Sequence, residues 1–115
     1  MENAKIKHVS ISMADHGCLT FGITLEGDGW GVVYGGYCIG HGYLGAETFT
    51  AESGSGLEAM MRIMDVVGVS KWEDLVGEYV RVDTSNRLGG TVETIGNITK
   101  NKFFNIKEFF RSKEA

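Results

Sequence analysis

His16, Cys18, Cys38 and His41 are the side chains of this sequence best suited to hold a soft metal ion. A zinc site needs them all on one side of whatever carries them, so the strands around them decide the matter. Leu19, Phe21, Ile23 and Leu25 alternate with Thr20, Gly22, Thr24 and Glu26, the period-two pattern of a half-buried strand. Asp28-Gly29 follows, a pair suited to a two-residue hairpin turn with positive φ at both positions. Counting back from that turn sets Gly27 opposite Trp30, Leu25 opposite Val32 and Ile23 opposite Tyr34. The same count sets Phe21 opposite Gly36, Leu19 opposite Cys38 and His16 opposite His41. Apolar face then meets apolar face, with Trp30, Val32 and Tyr34 on the buried side. On this register Cys18 and Cys38 fall on opposite faces, which argues against both a disulfide and a four-ligand zinc site. His-x-Cys is also an unusual spacing for a structural site. The expectation is two buried, reduced thiols, two surface histidines and no metal.

Gly40-His41-Gly42-Tyr43-Leu44-Gly45 fits G-x-G-x-x-G, the dinucleotide fingerprint. That motif works when its last glycine opens a helix whose N-terminus holds the pyrophosphate. Residues 46–55 show no helical periodicity here, and a chain of 115 residues is too short for a doubly wound sheet. The plainer reading is a glycine-rich loop whose backbone N–H groups could line a small-anion site. No Ser/His/Asp or Cys/His spacing marks a nucleophile, so no catalytic residue and no cofactor are assigned. Trp30, Tyr34, Tyr37 and Tyr43 offer aromatic faces, and Arg81, Arg87 and Arg111 offer phosphate contacts. The candidate ligand-binding set is Gly40, His41, Gly42, Tyr43, Arg87, Asn97 and Arg111.

The elements that must position these residues follow from periodicity. Lys5 to Ala14 reads as a strand with Val9, Ile11 and Met13 on one face, ending in a turn at Asp15-His16-Gly17. Residues 40–53 read as loop. Ser55 and Glu58 have the spacing of a capping box, and Leu57, Met60, Met61, Met64 and Val67 recur at helical spacing before Gly68. Ser70-Lys71-Trp72-Glu73 starts a short helical turn ending near Gly77. Strands are predicted over 78–83 and 91–98, joined by a polar turn at 85–90. Asn105 and Glu108 can cap a last helix carrying Ile106, Phe109 and Phe110. The chain is therefore read as one α+β domain over residues 1–115. Its mostly antiparallel sheet has about five strands, packed by one main helix and short helices. Phe103, Phe104, Phe109 and Phe110 exceed what one small sheet can hide, which points to a homo-oligomer.

Composition narrows the partners. A net charge of −4, from 11 basic and 15 acidic residues, argues against general nucleic-acid binding, which needs clustered Lys and Arg. No apolar run approaches the roughly 18 residues that cross a bilayer, and residues 1–5 lack the apolar core of a secretion signal. The expected location is the cytoplasm, away from membranes. Two cysteines there are expected to stay reduced.

Three patterns carry a resemblance. Gly35-Gly36-Tyr37 follows an alternating strand, and Trp72-Glu73-Asp74-Leu75-Val76-Gly77 leads into Val80-Arg81-Val82. Ile95-Gly96-Asn97-Ile98 then precedes Lys102-Phe103-Phe104. Together, over most of the chain, they resemble small proteins of temperate phages and prophages of Firmicutes. The resemblance implies a cytoplasmic setting in a bacterial host and a counter-defence role. One form is an anti-Thoeris or anti-CBASS sponge that sequesters a cyclic-nucleotide signal without catalysis. Another is an anti-CRISPR-like inhibitor that binds a host effector nuclease. The glycine-aromatic loop favours the small anionic or nucleotide ligand over the host defence protein. A metal-binding or enzymatic role through the His/Cys group is the third reading.

Overall fold

The alternation of the first forty residues becomes three long antiparallel strands, β1 (Glu2–Asp15), β2 (Cys18–Gly27) and β3 (Trp30–His41). They are seen in a computed structural model that describes residues 1–52, 54–83 and 91–114, leaving aside the side chains at 14, 15 and 114. Four short strands complete one sheet: β4 (Thr50–Ala51), β5 (Tyr79–Val82), β6 (Thr94–Asn97) and β7 (Phe103–Asn105). The order is β4-β3-β2-β1-β5-β6-β7, with every neighbouring pair antiparallel. The class is α+β as expected, but the sheet has seven strands rather than about five. The additional strands, β4 inside the expected 40–53 loop and β7 at Phe103-Phe104, have two and three residues. Strands that short carry no readable alternation.

β1 keeps its apolar residues inward across a bulge. Ile6 pairs with Leu25 and His8 with Thr24, so one residue is skipped at Lys7. Ala4 and Ile6 face the core before the bulge, and Val9 packs against it afterwards.

The main helix, α1 (Ser55–Val67), buries Ala59, Met60, Ile63 and Val66 in one core with Phe21, Ile23, Leu25, Tyr34 and Ile95 of the sheet. The expected stripe is corrected by about one residue, since Leu57 is 57% and Met61 65% exposed. Gly56 explains the rotation. A Cβ there would sit 2.1 Å from Ile39 Cγ2, so the helix meets β3 at a glycine. A face centred on Leu57 would put a large side chain where no side chain fits.

The capping box is also corrected. The helix starts after Gly54 without a side-chain cap, and the Glu58 carboxylate accepts from Arg62 Nε at 2.8 Å and Lys113 Nζ at 3.4 Å. The hydrogen bond from Arg62, then the contact with Lys113, holds the Glu58 carboxyl below its ordinary 4.5. A lowered folded-state value means that the pairing contributes above the ordinary carboxylate range. The contribution is lost as pH falls through the folded-state value. Melting curves should therefore show Glu58→Gln slightly less stable than wild type at neutral pH. The two should converge in acid.

The last helix, α2 (Ile106–Glu114), begins as expected, with Asn105 Oδ1 accepting the Glu108 N–H at 2.9 Å. The aromatic surplus inferred from the sequence is largely absorbed within the chain. Phe104 is buried, Phe109 meets both Phe104 and Phe110 edge-on, and Tyr37 stacks on Phe110 at 3.9 Å. Only Phe103 of the four is exposed, beneath the Arg81 guanidinium at 4.8 Å. These aromatics therefore no longer require a second subunit. Among the described residues, no helix is long and apolar enough to cross a membrane.

Candidate functional site

Two places on this frame gather candidate functional side chains. The first is the open end of the β2–β3 hairpin. Next to the Asp28-Gly29 turn the expected register holds, with Gly27 facing Trp30, Leu25 facing Val32 and Ile23 facing Tyr34, but of the two turn residues Gly29 alone has positive φ, at 78°. Farther along the register fails twice. Gly22 pairs with Gly35 but Thr20 with Cys38, and Leu19 then pairs with Gly40, so β3 gains one residue at each step. The expected pairings Phe21–Gly36, Leu19–Cys38 and His16–His41 are thereby replaced.

Gly35 and Gly36, at φ 110° and 84°, make the first bulge. A Cβ on Gly35 would meet the Phe21 carbonyl oxygen at 2.9 Å, so this turn of the strand needs glycine. The consequence for the cysteines is a direct correction. The first bulge moves Cys38 onto the face of Thr20, which is also the face of Cys18. The second restores His41 to that face, opposite Cys18.

Cys18 Sγ lies 3.9 Å and Cys38 Sγ 4.0 Å from His41 Nδ1, and the three atoms all lie within 4.8 Å of one another. The thiols are half-buried and His41 is exposed. Neither cysteine is in a disulfide, and Cys38 Sγ contacts the Gly40 carbonyl at 3.0 Å. The other ring nitrogen of His41, Nε2, is hydrogen-bonded to Glu52 Oε1. β4 makes that contact possible, because Thr50 pairs with His41 and the Glu52 N–H donates to the Ile39 carbonyl. His16 sits in the β1–β2 turn with φ 49° and does not join the cluster.

The second place is the seam between β3 and α2. β3 pairs with β4 only at Gly40 and His41, so from Trp30 to Tyr37 it has no strand neighbour on that side among the described residues. The sheet curls until this edge approaches the start of β6 and α2. Tyr34 stitches the two together: its buried hydroxyl contacts the carbonyls of Glu93 at 3.1 Å and Phe104 at 3.3 Å, and accepts the Ile106 N–H at 3.3 Å. Burial pushes the Tyr34 hydroxyl pKa up, so it stays a neutral donor. Outside this stitch lies a cleft of about 320 Å³ that includes Gly35, Tyr37, Glu93 and Lys107. A second hollow, of about 210 Å³, shares Tyr37 and Lys107 with it and is also lined by Phe110 and Arg111. Lys107 Nζ reaches Glu93 Oε1 at 3.3 Å, while the Arg111 side chain is exposed.

The candidate ligand residues thus separate. Gly40, His41, Gly42 and Tyr43 stay at the hairpin end, where Gly40 is buried and Tyr43 exposed. Arg111 lies at the seam, and Arg87 falls outside the described residues. Asn97 is buried between α1 and the β6–β7 turn. Its Nδ2 donates to the carbonyls of Val66 at 2.8 Å and Val67 at 3.4 Å. Its Oδ1 accepts the N–H groups of Thr99 at 3.0 Å and Lys100 at 2.9 Å. With its amide so engaged, it holds the fold. Glu52 and Lys107 join these two places without being singled out by the sequence, whereas Tyr37 is one of the four expected aromatic faces. The Gly35-Gly36 pair is the sequence signal for the bulge that brings Cys38 to the face of Cys18, since adjacent glycines inside a strand mark a bulge.

No family model, no curated protein and no solved structure matches this chain.

Proposed function

We propose that the chain is a non-enzymatic binding domain that takes a small anionic, nucleotide-type ligand at the β3–α2 seam. The observation that carries this reading is the convergence of Tyr37, Lys107 and Arg111 on adjoining hollows. Lys107 and Arg111 are four residues apart on α2, so both cations project from one helix face. The rings beside them suit a base or sugar, and Glu93 can accept from a hydroxyl or amino group. A cleft of about 320 Å³ is at the small end for ligand sites, which favours a mononucleotide or half of a cyclic dinucleotide. A larger signal would need two copies of the chain. In the phage setting that the sequence resembles, the role would be sequestration of a nucleotide immune signal.

Calorimetry of the purified protein against AMP, ADP-ribose and cyclic dinucleotides tests this. Loss of one charged contact costs about 1.5–3 kcal/mol, so Arg111→Ala should weaken binding at least tenfold while leaving the circular dichroism spectrum unchanged. Absence of binding at millimolar ligand, or equal binding by Arg111→Ala, would overturn the reading. A protein-docking inhibitor is the second reading. It is favoured by Tyr43, Leu44 and Phe49, which are 63%, 86% and 62% exposed beyond the end of β3.

A further inference from the structure

We propose that Cys18, Cys38 and His41 bind a thiophilic divalent cation of the zinc class, leaving a fourth coordination position for water. Zinc–sulfur bonds of about 2.3 Å and zinc–nitrogen bonds of about 2.05 Å in a tetrahedron put sulfur and nitrogen about 3.6 Å apart. The observed Sγ–Nδ1 separations of 3.9 and 4.0 Å need to close by only a few tenths of an ångström. Side-chain rotation supplies that without moving the strands.

The histidine is already set for the task. Glu52 takes the Nε2 proton in a hydrogen bond, which leaves the Nδ1 lone pair directed at the two sulfurs. A carboxylate behind a ligating histidine is the usual outer partner of a zinc site, where it fixes the tautomer and raises ligand basicity. The frame is also rigid, because the Gly42 N–H donates to the Gly17 carbonyl at 2.8 Å and ties the β1–β2 turn to the end of β3. Two thiolates and an imidazole select zinc-like ions over magnesium or calcium, which prefer all-oxygen ligands. On binding, each thiol loses its proton to solvent, and metal replaces the weak contact of Cys38 with the Gly40 carbonyl. The site is independent of the seam between β3 and α2.

Cobalt(II) titration of the full chain, in a non-chelating reductant, reads the site directly. One cobalt per chain should produce an intense thiolate-to-metal band in the near ultraviolet and the visible bands of a tetrahedral ion. One equivalent of zinc should abolish both. Cys38→Ser and His41→Ala should lose the thiolate band while keeping the wild-type circular dichroism spectrum. Glu52→Gln should keep the stoichiometry and weaken zinc affinity about 10–100-fold. A wild-type chain that shows no thiolate band, or a Cys38→Ser chain that binds as tightly as wild type, would overturn the proposal.

Discussion

Asn97→Ala is expected to cost about 3 kcal/mol of folding stability and to lower Tm by at least about 10 °C. The side chain supplies what two elements lack. The last carbonyls of any α-helix have no partner inside the helix. In α1, Met64 O is served by the Gly68 N–H at 2.7 Å and the Val69 N–H at 3.1 Å, but Val66 and Val67 look to Asn97 Nδ2. At the same time Asn97 Oδ1 holds the Thr99 and Lys100 N–H groups that start the turn into β7. Alanine strands donors and acceptors on both sides, each costing about 1–3 kcal/mol where water cannot reach them. Asn97→Asp separates this account from simple loss of volume. The aspartate keeps the acceptor for the turn but aims a second oxygen at the Val66 and Val67 carbonyls. It should therefore melt as low as the alanine variant at neutral pH. An aspartate variant as stable as wild type would show that the donor to the helix end contributes nothing.

The sequence made the place of the hairpin turn, the first two strands, the 3-10 turn Trp72–Leu75 and the Asn105 cap legible, because each depends on neighbours within a few residues. The far half of the hairpin was not legible by counting. A register count assumes one residue against one, and the two bulges of β3 break that assumption after Gly35. By that count Cys18 and Cys38, both ligands of the proposed metal site, fall on opposite faces. Glu52 lacked any local signal, because a two-residue strand brings it to His41. Asn97 stands in the candidate ligand set of the sequence, whereas its amide partners are backbone groups of a helix about thirty residues earlier and of the turn that follows it. The seam was invisible as well, since it arises from the curl of the whole sheet between strands far apart in sequence.

Ile63→Asp should abolish folding, whereas Met61→Asp should leave stability within about 0.5 kcal/mol of wild type. Only two positions separate these residues, yet they point to opposite sides of α1. Ile63 is 0% exposed among Ala59, Val66 and the sheet residues of the core, while Met61 is 65% exposed. An aspartate at 63 must either bury a charge without a partner or take up a proton, and it also removes a well-packed aliphatic side chain. Those losses together exceed about 5 kcal/mol, comparable with the whole stability of a small domain. At 61 the carboxylate stays in water, one turn beyond Glu58 on α1, and adds a minor like-charge repulsion. Urea denaturation of both variants decides between the two faces of the helix. The sequence-level stripe through Leu57 and Met61 predicts the reverse order, in which Met61→Asp unfolds the chain. That order would mean that α1 is rotated from the position in which Gly56 meets Ile39.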